Sequence, residues 1–171
     1  MKNNIFLIGF MGTGKSTVSR TLSRLTGMEE IEMDEAIVRR EGKAIADIFA
    51  QEGEPYFRAL ETALLKELGD RDGQLISCGG GVPMRKENVD LMKAGGRTVL
   101  LTAEPATILG RVKGSRERPI LNGNMNEDYI RQLMEKRRTA YERAADIRVA
   151  TDGRTVEEIC KEILEKLSWK M

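Results

Sequence analysis

Along this chain, short unbroken apolar runs alternate with longer stretches in which apolar residues recur at helical spacing. Ile5-Phe6-Leu7-Ile8, Gln74-Leu75-Ile76-Ser77-Cys78 and Thr98-Val99-Leu100-Leu101 read as buried strands, Glu30-Ile31-Glu32-Met33 as a weaker one, and Asp146 to Ala150 as the last. Between them, Val18, Leu22 and Leu25 define one face of a helix from Lys15 to about Leu25, closed by Gly27. Asp34 is placed to cap a helix running toward Glu41; Ile45, Ile48 and Phe49 mark a short one ending at Gly53. Pro55 opens a longer helix carrying Phe57, Leu60, Leu64 and Leu68, stopped by Gly69. Three helices in succession predict an insertion laid over the sheet. Further helices run from Lys86 to Ala94, from Pro105 (Ile108, Leu109, Val112), and from the cap Asn126 to about Ala145 (Ile130, Leu133, Met134, Tyr141). The last follows the capping box Thr155-x-x-Glu158 and carries Ile159, Ile163, Leu164 and Leu167. This alternation predicts an α/β fold of three layers, α/β/α, around a parallel sheet of five strands.

Size and charge narrow the chemistry. The 171 residues fit one domain with a substantial core, and 28 Lys plus Arg against 27 Asp plus Glu give no global field toward nucleic acid or membrane. Cys78 and Cys160 lie in no metal or redox spacing, which suits a reducing cytoplasm. The run from Ile5 to Met11 is too short for a signal peptide and leads into no cleavage site, and no segment reaches the length of a membrane span. With no His in the chain, proton handling falls to carboxylates, lysine or the substrate.

Gly9-Phe10-Met11-Gly12-Thr13-Gly14-Lys15-Ser16 matches the phosphate-cradling pattern G-x-x-x-x-G-K-[ST] between a predicted strand and a predicted helix. In such a loop the backbone N–H groups converge on phosphate oxygens, Lys15 reaches the β- and γ-phosphates, and the Ser16 hydroxyl is offered to Mg²⁺. Elsewhere most candidates carry two readings. Arg137 shares the stripe of Leu133 and Tyr141, while Arg131 and Arg138 point away; its head either holds an anionic partner or reaches out to solvent. Asp34 is either a helix cap or a ligand. Arg58 is spaced to pair with Glu61 at i+3 on the surface of its helix. Glu32, at a strand end where open α/β sheets bind ligands, either holds a water on Mg²⁺ or is a solvated edge residue. Gly79-Gly80-Gly81 after a strand allows a ligand or another backbone to approach closely. The basic loop from Lys113 to Arg118 is either solvated surface or a lid closing over a bound triphosphate.

Together these stretches resemble the shikimate kinase family over nearly the whole chain: GFMGTGKST at 9–17, MDEAI at 33–37, Phe57-Arg58 with Glu61, Ser77-Cys78-Gly79-Gly80-Gly81, Arg118-Pro119-Ile120-Leu121, and Arg137-x-x-x-Tyr141. The resemblance implies a P-loop kinase of nucleoside-monophosphate-kinase-like fold, acting as a monomer, in which an insertion at about 33–61 binds shikimate and a loop at about 112–124 is a lid. It implies that Asp34 holds the shikimate hydroxyls, Arg58 and Arg137 its carboxylate, and the backbone of Gly79, Gly80 and Gly81 completes that pocket. Lys15 and Arg118 would stabilise the γ-phosphoryl group in flight, with Asp34 orienting the attacking hydroxyl. Gly12, Thr13, Gly14, Lys15, Ser16 and Thr17 would hold the nucleotide, and Arg111 and Arg154 would lie on its adenine side. Mg²⁺ would be held by Ser16 and, through waters, by Glu32 and Ser77. Where the family usually has Asp-x-Asp, this chain has Glu32-Met33-Asp34. The implied reaction is transfer of the ATP γ-phosphoryl group to the 3-hydroxyl of shikimate. The rival readings are a gluconate-type or nucleotide kinase on the same scaffold, and a nucleotide-dependent switch that phosphorylates no metabolite.

Overall fold

The structure is a computed structural model that describes residues 2–112 and 126–169. Five parallel strands, β1 (Asn4–Ile8), β2 (Glu29–Glu32), β3 (Gln74–Ser77), β4 (Gly96–Thr102) and β5 (Ile147–Ala150), form one sheet in the order β2-β3-β1-β4-β5. Among the described residues the helices are α1 (Lys15–Thr26), α2 (Met33–Glu41), α3 (Ile45–Glu52), α4 (Glu54–Gly69), α5 (Lys86–Gly95), α6 (Pro105–Val112), α7 (Glu127–Ala144) and α8 (Val156–Lys166). A 3₁₀ turn, Val82–Met84, follows the three glycines.

Side-chain alternation along the strands divides the core in two. Ile5 and Leu7 of β1, Leu75 of β3, and Val99 and Leu101 of β4 pack under α1 and α8 with Val18, Leu22, Ile159 and Ile163. Phe6, Ile8, Ile76 and Leu100 face the other way and pack under α4, α5 and α7 with Leu64, Leu65, Leu68, Met92 and Ile130. The three inner strands are covered on both faces, so β1, β3 and the 98–101 stretch of β4 are buried throughout, as expected of a parallel sheet, while the edge strands β2 and β5 keep exposed charged residues.

Three expectations need correction. Leu25 is 41 % exposed, and the buried face of α1 is built instead from Val18, Ser19, Thr21 and Leu22. The helix after β2 starts at Met33, which is fully buried, so Asp34 sits inside the first turn and does not cap it. β4 begins at Gly96 rather than Thr98, since that residue already pairs with Asn4 of β1; a Cβ there would overlap the Asn4 carbonyl. The predicted caps at the other end of the chain are present: Asn126 Oδ1 accepts from Tyr129 N at 2.8 Å, and Thr155 Oγ1 from Glu158 N at 3.2 Å.

The strand order places β1 centrally. From it the chain crosses to β2 on one side and later, from β3, to β4 on the other, so the loops after β1 and β3 lie together where such sheets bind ligands. Cys78 N donates to Leu7 O at 2.9 Å and holds them side by side.

Candidate active site

The loop after β1 has the conformation that a phosphate cradle needs. Gly14 adopts φ 92° and ψ 22°, a left-handed conformation, as the cap of α1, so only a residue without Cβ enters the helix there without strain. A Cβ on Gly12 would sit 2.9 Å from Val112 Cγ1, so the loop packs tightly on the end of α6. Thr13 is buried and turned inward, its hydroxyl donating to Phe10 O at 2.7 Å. Lys15 Nζ donates to Gly9 O at 2.7 Å and Phe10 O at 3.4 Å, which folds the ammonium over the concave side of its own loop. Thr17 is exposed at the start of α1.

Beside this loop three predicted oxygen donors come together. Ser16 Oγ donates to Glu32 Oε1 at 3.0 Å, and Glu32 is the register partner of Ser77 across β2 and β3. Burial pushes the Glu32 carboxyl above its ordinary range; the Ser16 hydroxyl opposes that shift, while Glu35 and Asp34 add to it. A hydroxyl next to a carboxylate that burial disfavours as an anion is a hard oxygen set, and it fits Mg²⁺ held largely by phosphates and waters with few protein ligands.

The three glycines form a floor, and each lies under a different charged group. A Cβ on Gly79 would stand 2.9 Å from both Asp34 Oδ1 and Glu61 Oε2; on Gly80, 2.6 Å from Arg137 Nη1; on Gly81 it would overlap the Arg58 guanidinium. None of the three has a positive φ. They are required here by the side chains that rest on them, and the close approach expected at this stretch is an approach of guanidinium and carboxylate groups.

Arg58 Nη1 donates to Glu61 Oε1 at 2.7 Å, and its guanidinium carbon lies 5.4 Å from the Phe57 ring centre and 6.0 Å from that of Phe49. The pairing is not a surface one, because Glu61 is only 1 % exposed. Burial raises the Glu61 carboxyl, with Arg58 opposing. Arg137 is half-buried, donates to the Tyr141 hydroxyl at 3.3 Å, and stacks 5.7 Å above the ring centre of Phe10 in the phosphate loop. Tyr141 in turn donates to Gly80 O at 2.6 Å. Cys78 lies between the two regions, its thiol pushed up by burial, by Glu61 and by Asp34, and pulled down by Lys15.

A family model described as Shikimate kinase matches residues 11–168. The chain belongs to the shikimate kinase family. A shikimate kinase of Dehalococcoides mccartyi is 41 % identical over 98 % of this chain and 94 % of its own length. One of Aquifex aeolicus is 42 % identical over 95 % of each chain. Among solved structures, the shikimate kinase of Acinetobacter baumannii in complex with shikimate superimposes with a TM-score of 0.92 at 33 % identity, covering 98 % of this chain and 94 % of that one. A gluconokinase of Sinorhizobium meliloti, at 18 % identity and a TM-score of 0.59, shares the fold.

Other side chains beside the glycine floor were not among the expected site residues. Phe10 stacks on Arg137, Phe49 and Phe57 stack on Arg58, and Glu61 is buried. Its signal was an acidic residue on the apolar side of α4, three after Arg58 and four before Leu65. The Arg111 guanidinium donates to Gly12 O at 2.9 Å and to Thr151 Oγ1 and O at 3.1 Å each. Arg154 is bound to Ala150 O at 2.8 Å and paired with Glu162 at 2.9 Å, apart from the phosphate loop. Arg118 and the rest of the Arg118-Pro119-Ile120-Leu121 stretch lie outside the described residues.

Proposed function

We propose that this chain transfers the γ-phosphoryl group of ATP to the 3-hydroxyl of shikimate, with the residues gathered at the ends of β1, β2 and β3 as its machinery. One observation carries the reading. The Arg137 guanidinium stacks on Phe10 of the phosphate loop, so an acid held by Arg137 and Arg58 lies against the nucleotide's terminal phosphate. Two arginines over a glycine floor match a small carboxylate, which a nucleoside monophosphate lacks.

In this reading, Gly12 to Thr17 hold the triphosphate and Lys15 leaves the carbonyls of Gly9 and Phe10 for the transferred group. Asp34, whose Oδ1 lies above Gly79, orients the 3-hydroxyl and takes its proton. The hydroxyl oxygen bonds to the γ-phosphorus as the bond from phosphorus to the β,γ-bridging oxygen breaks, and that electron pair leaves with ADP. Such a transfer depends on alignment and charge neutralisation, which a site without His supplies through Lys15 and, from the lid, Arg118. Mg²⁺ would be held by Ser16, with Glu32 and Ser77 binding its waters, and would supply neutralising charge at the phosphates. Arg111, beside Gly12 and Thr151, fits the adenine side, and Arg154 is assigned there on the resemblance alone. The segment at about 33–61 acts as the acid-binding part and about 112–124 as the lid. The family resemblance supports a monomer, and two buried free cysteines favour a cytoplasmic setting.

The test is ADP release with Mg-ATP and, separately, shikimate, gluconate and nucleoside monophosphates. Stimulation by shikimate alone is expected; none by shikimate refutes the reading. Arg137→Ala is expected to weaken shikimate binding far more than ATP binding, and equal loss of both would make that arginine structural.

A further inference from the structure

The glycine floor does not follow directly on the Arg58 helix, because residues 70–78, β3 among them, separate α4 from Gly79. The attachment is made by Asn88 of α5. Its side chain is fully buried, and both ends of its amide are used. Nδ2 donates to Val82 O at 2.9 Å, immediately after Gly81, and Oδ1 accepts from the Thr62 hydroxyl of α4 at 2.8 Å. The Thr62 hydroxyl also lies 3.1 Å from Arg58 O and accepts from Arg85 Nη1 at 2.8 Å, while the same Nη1 donates to Arg58 O at 3.0 Å. An unbroken set of hydrogen bonds therefore runs from the backbone behind Gly81 to the backbone of Arg58, whose guanidinium rests on Gly81.

We infer that Asn88 is a positioning residue that sets the height of the glycine floor under Arg58, and so tunes the affinity of the pocket for its acid. Only a side chain with a donor on one end and an acceptor on the other meets a carbonyl and a hydroxyl in this way. In a buried site such bonds are strong when complete, and stranding one partner is correspondingly costly. Asp of the same shape would set an anionic oxygen against the Val82 carbonyl. None of these atoms belongs to the phosphate loop, so the effect falls on the acid and spares the nucleotide.

The inference rests on the pocket assignment above, and the experiment separates the two. Steady-state kinetics of the full chain, with shikimate and ATP varied separately, are compared for wild type, Asn88→Asp, Thr62→Val and Thr62→Ser, alongside melting temperatures. Asn88→Asp and Thr62→Val are expected to raise KM for shikimate about tenfold, with KM for ATP changed less than about twofold. Thr62→Ser, which keeps the hydroxyl, is expected to stay close to wild type. Three results overturn the inference: an unchanged shikimate KM despite a lowered melting temperature, parallel rises in both constants, or Thr62→Ser as impaired as Thr62→Val. If Asn88→Asp does not fold, the Thr62 pair decides on the same criteria. Wild-type protein that ignores shikimate removes the pocket assignment and this inference with it.

Discussion

Gly80→Ala tests the central geometry with one carbon atom. The backbone at Gly80 has no positive φ, so alanine brings no conformational penalty there. Its Cβ arrives 2.6 Å from Arg137 Nη1 and 3.5 Å from the Tyr141 hydroxyl, against an ordinary contact of 3.4–4 Å. Tyr141 is held to Gly80 O and buried, so the guanidinium is the group that yields, by about 1 Å. Displacement of a substrate-orienting group by that amount costs up to ~10²-fold in kcat/KM. We expect kcat/KM for shikimate to fall by about one to two orders of magnitude, with KM for ATP and the melting temperature little changed. The assay is coupled ADP release with each substrate titrated against saturating partner, beside thermal unfolding of the same preparations. Unaltered shikimate kinetics would mean that Arg137 does not bind the acid from this position. A matching loss for ATP would place Arg137 in the nucleotide site.

Lys15→Ala should cut kcat at least about a hundredfold while leaving shikimate binding intact, because it removes the charge aimed at the transferred group; near-normal turnover would contradict the cradle. Glu61→Gln removes a carboxyl that burial raises above its ordinary 4.5. The folded state holds that proton more tightly than the unfolded chain does, so wild-type stability should decline as pH rises through the range just above 4.5, and the variant should lack this component. Parallel melting curves from acid to neutral pH would refute it. Gln74 is 1 % exposed, and neither of its amide atoms has a partner among the described residues. Gln74→Met, of similar shape, should therefore stabilise the protein by about 1 kcal/mol, or ~2–4 °C in melting temperature; no gain would show that an internal water satisfies the amide.

The sequence made legible whatever its own neighbours determine. Strands β1 and β4 are written in unbroken apolar runs because both faces are covered, and the phosphate loop is written in glycines because its backbone conformation demands them. Leu25 departs from its apparent stripe because the buried face of α1 includes the small polar side chains of Ser19 and Thr21, which periodicity of large apolar residues does not mark. Asp34 differs from expectation because the helix starts two residues earlier, at the buried Met33, which turns an apparent cap into a carboxylate over Gly79. The Arg58–Glu61 pair was visible as a spacing, but its burial was not, since the floor that covers it comes from beyond β3. Asn88 was invisible for the same reason: an asparagine in an amphipathic helix reads as solvent-facing until the 3₁₀ turn is laid against it. The glycines at 79–81 were the one distant signal present. Three residues without side chains in a row mean that other side chains occupy the space, and the polar groups off their expected surfaces, Asp34, Arg58, Glu61 and Arg137, are those that fill it. A glycine cluster after a strand, set against charged residues on apolar helical faces elsewhere, therefore marks a place where those charged groups gather, even where neither motif alone does so.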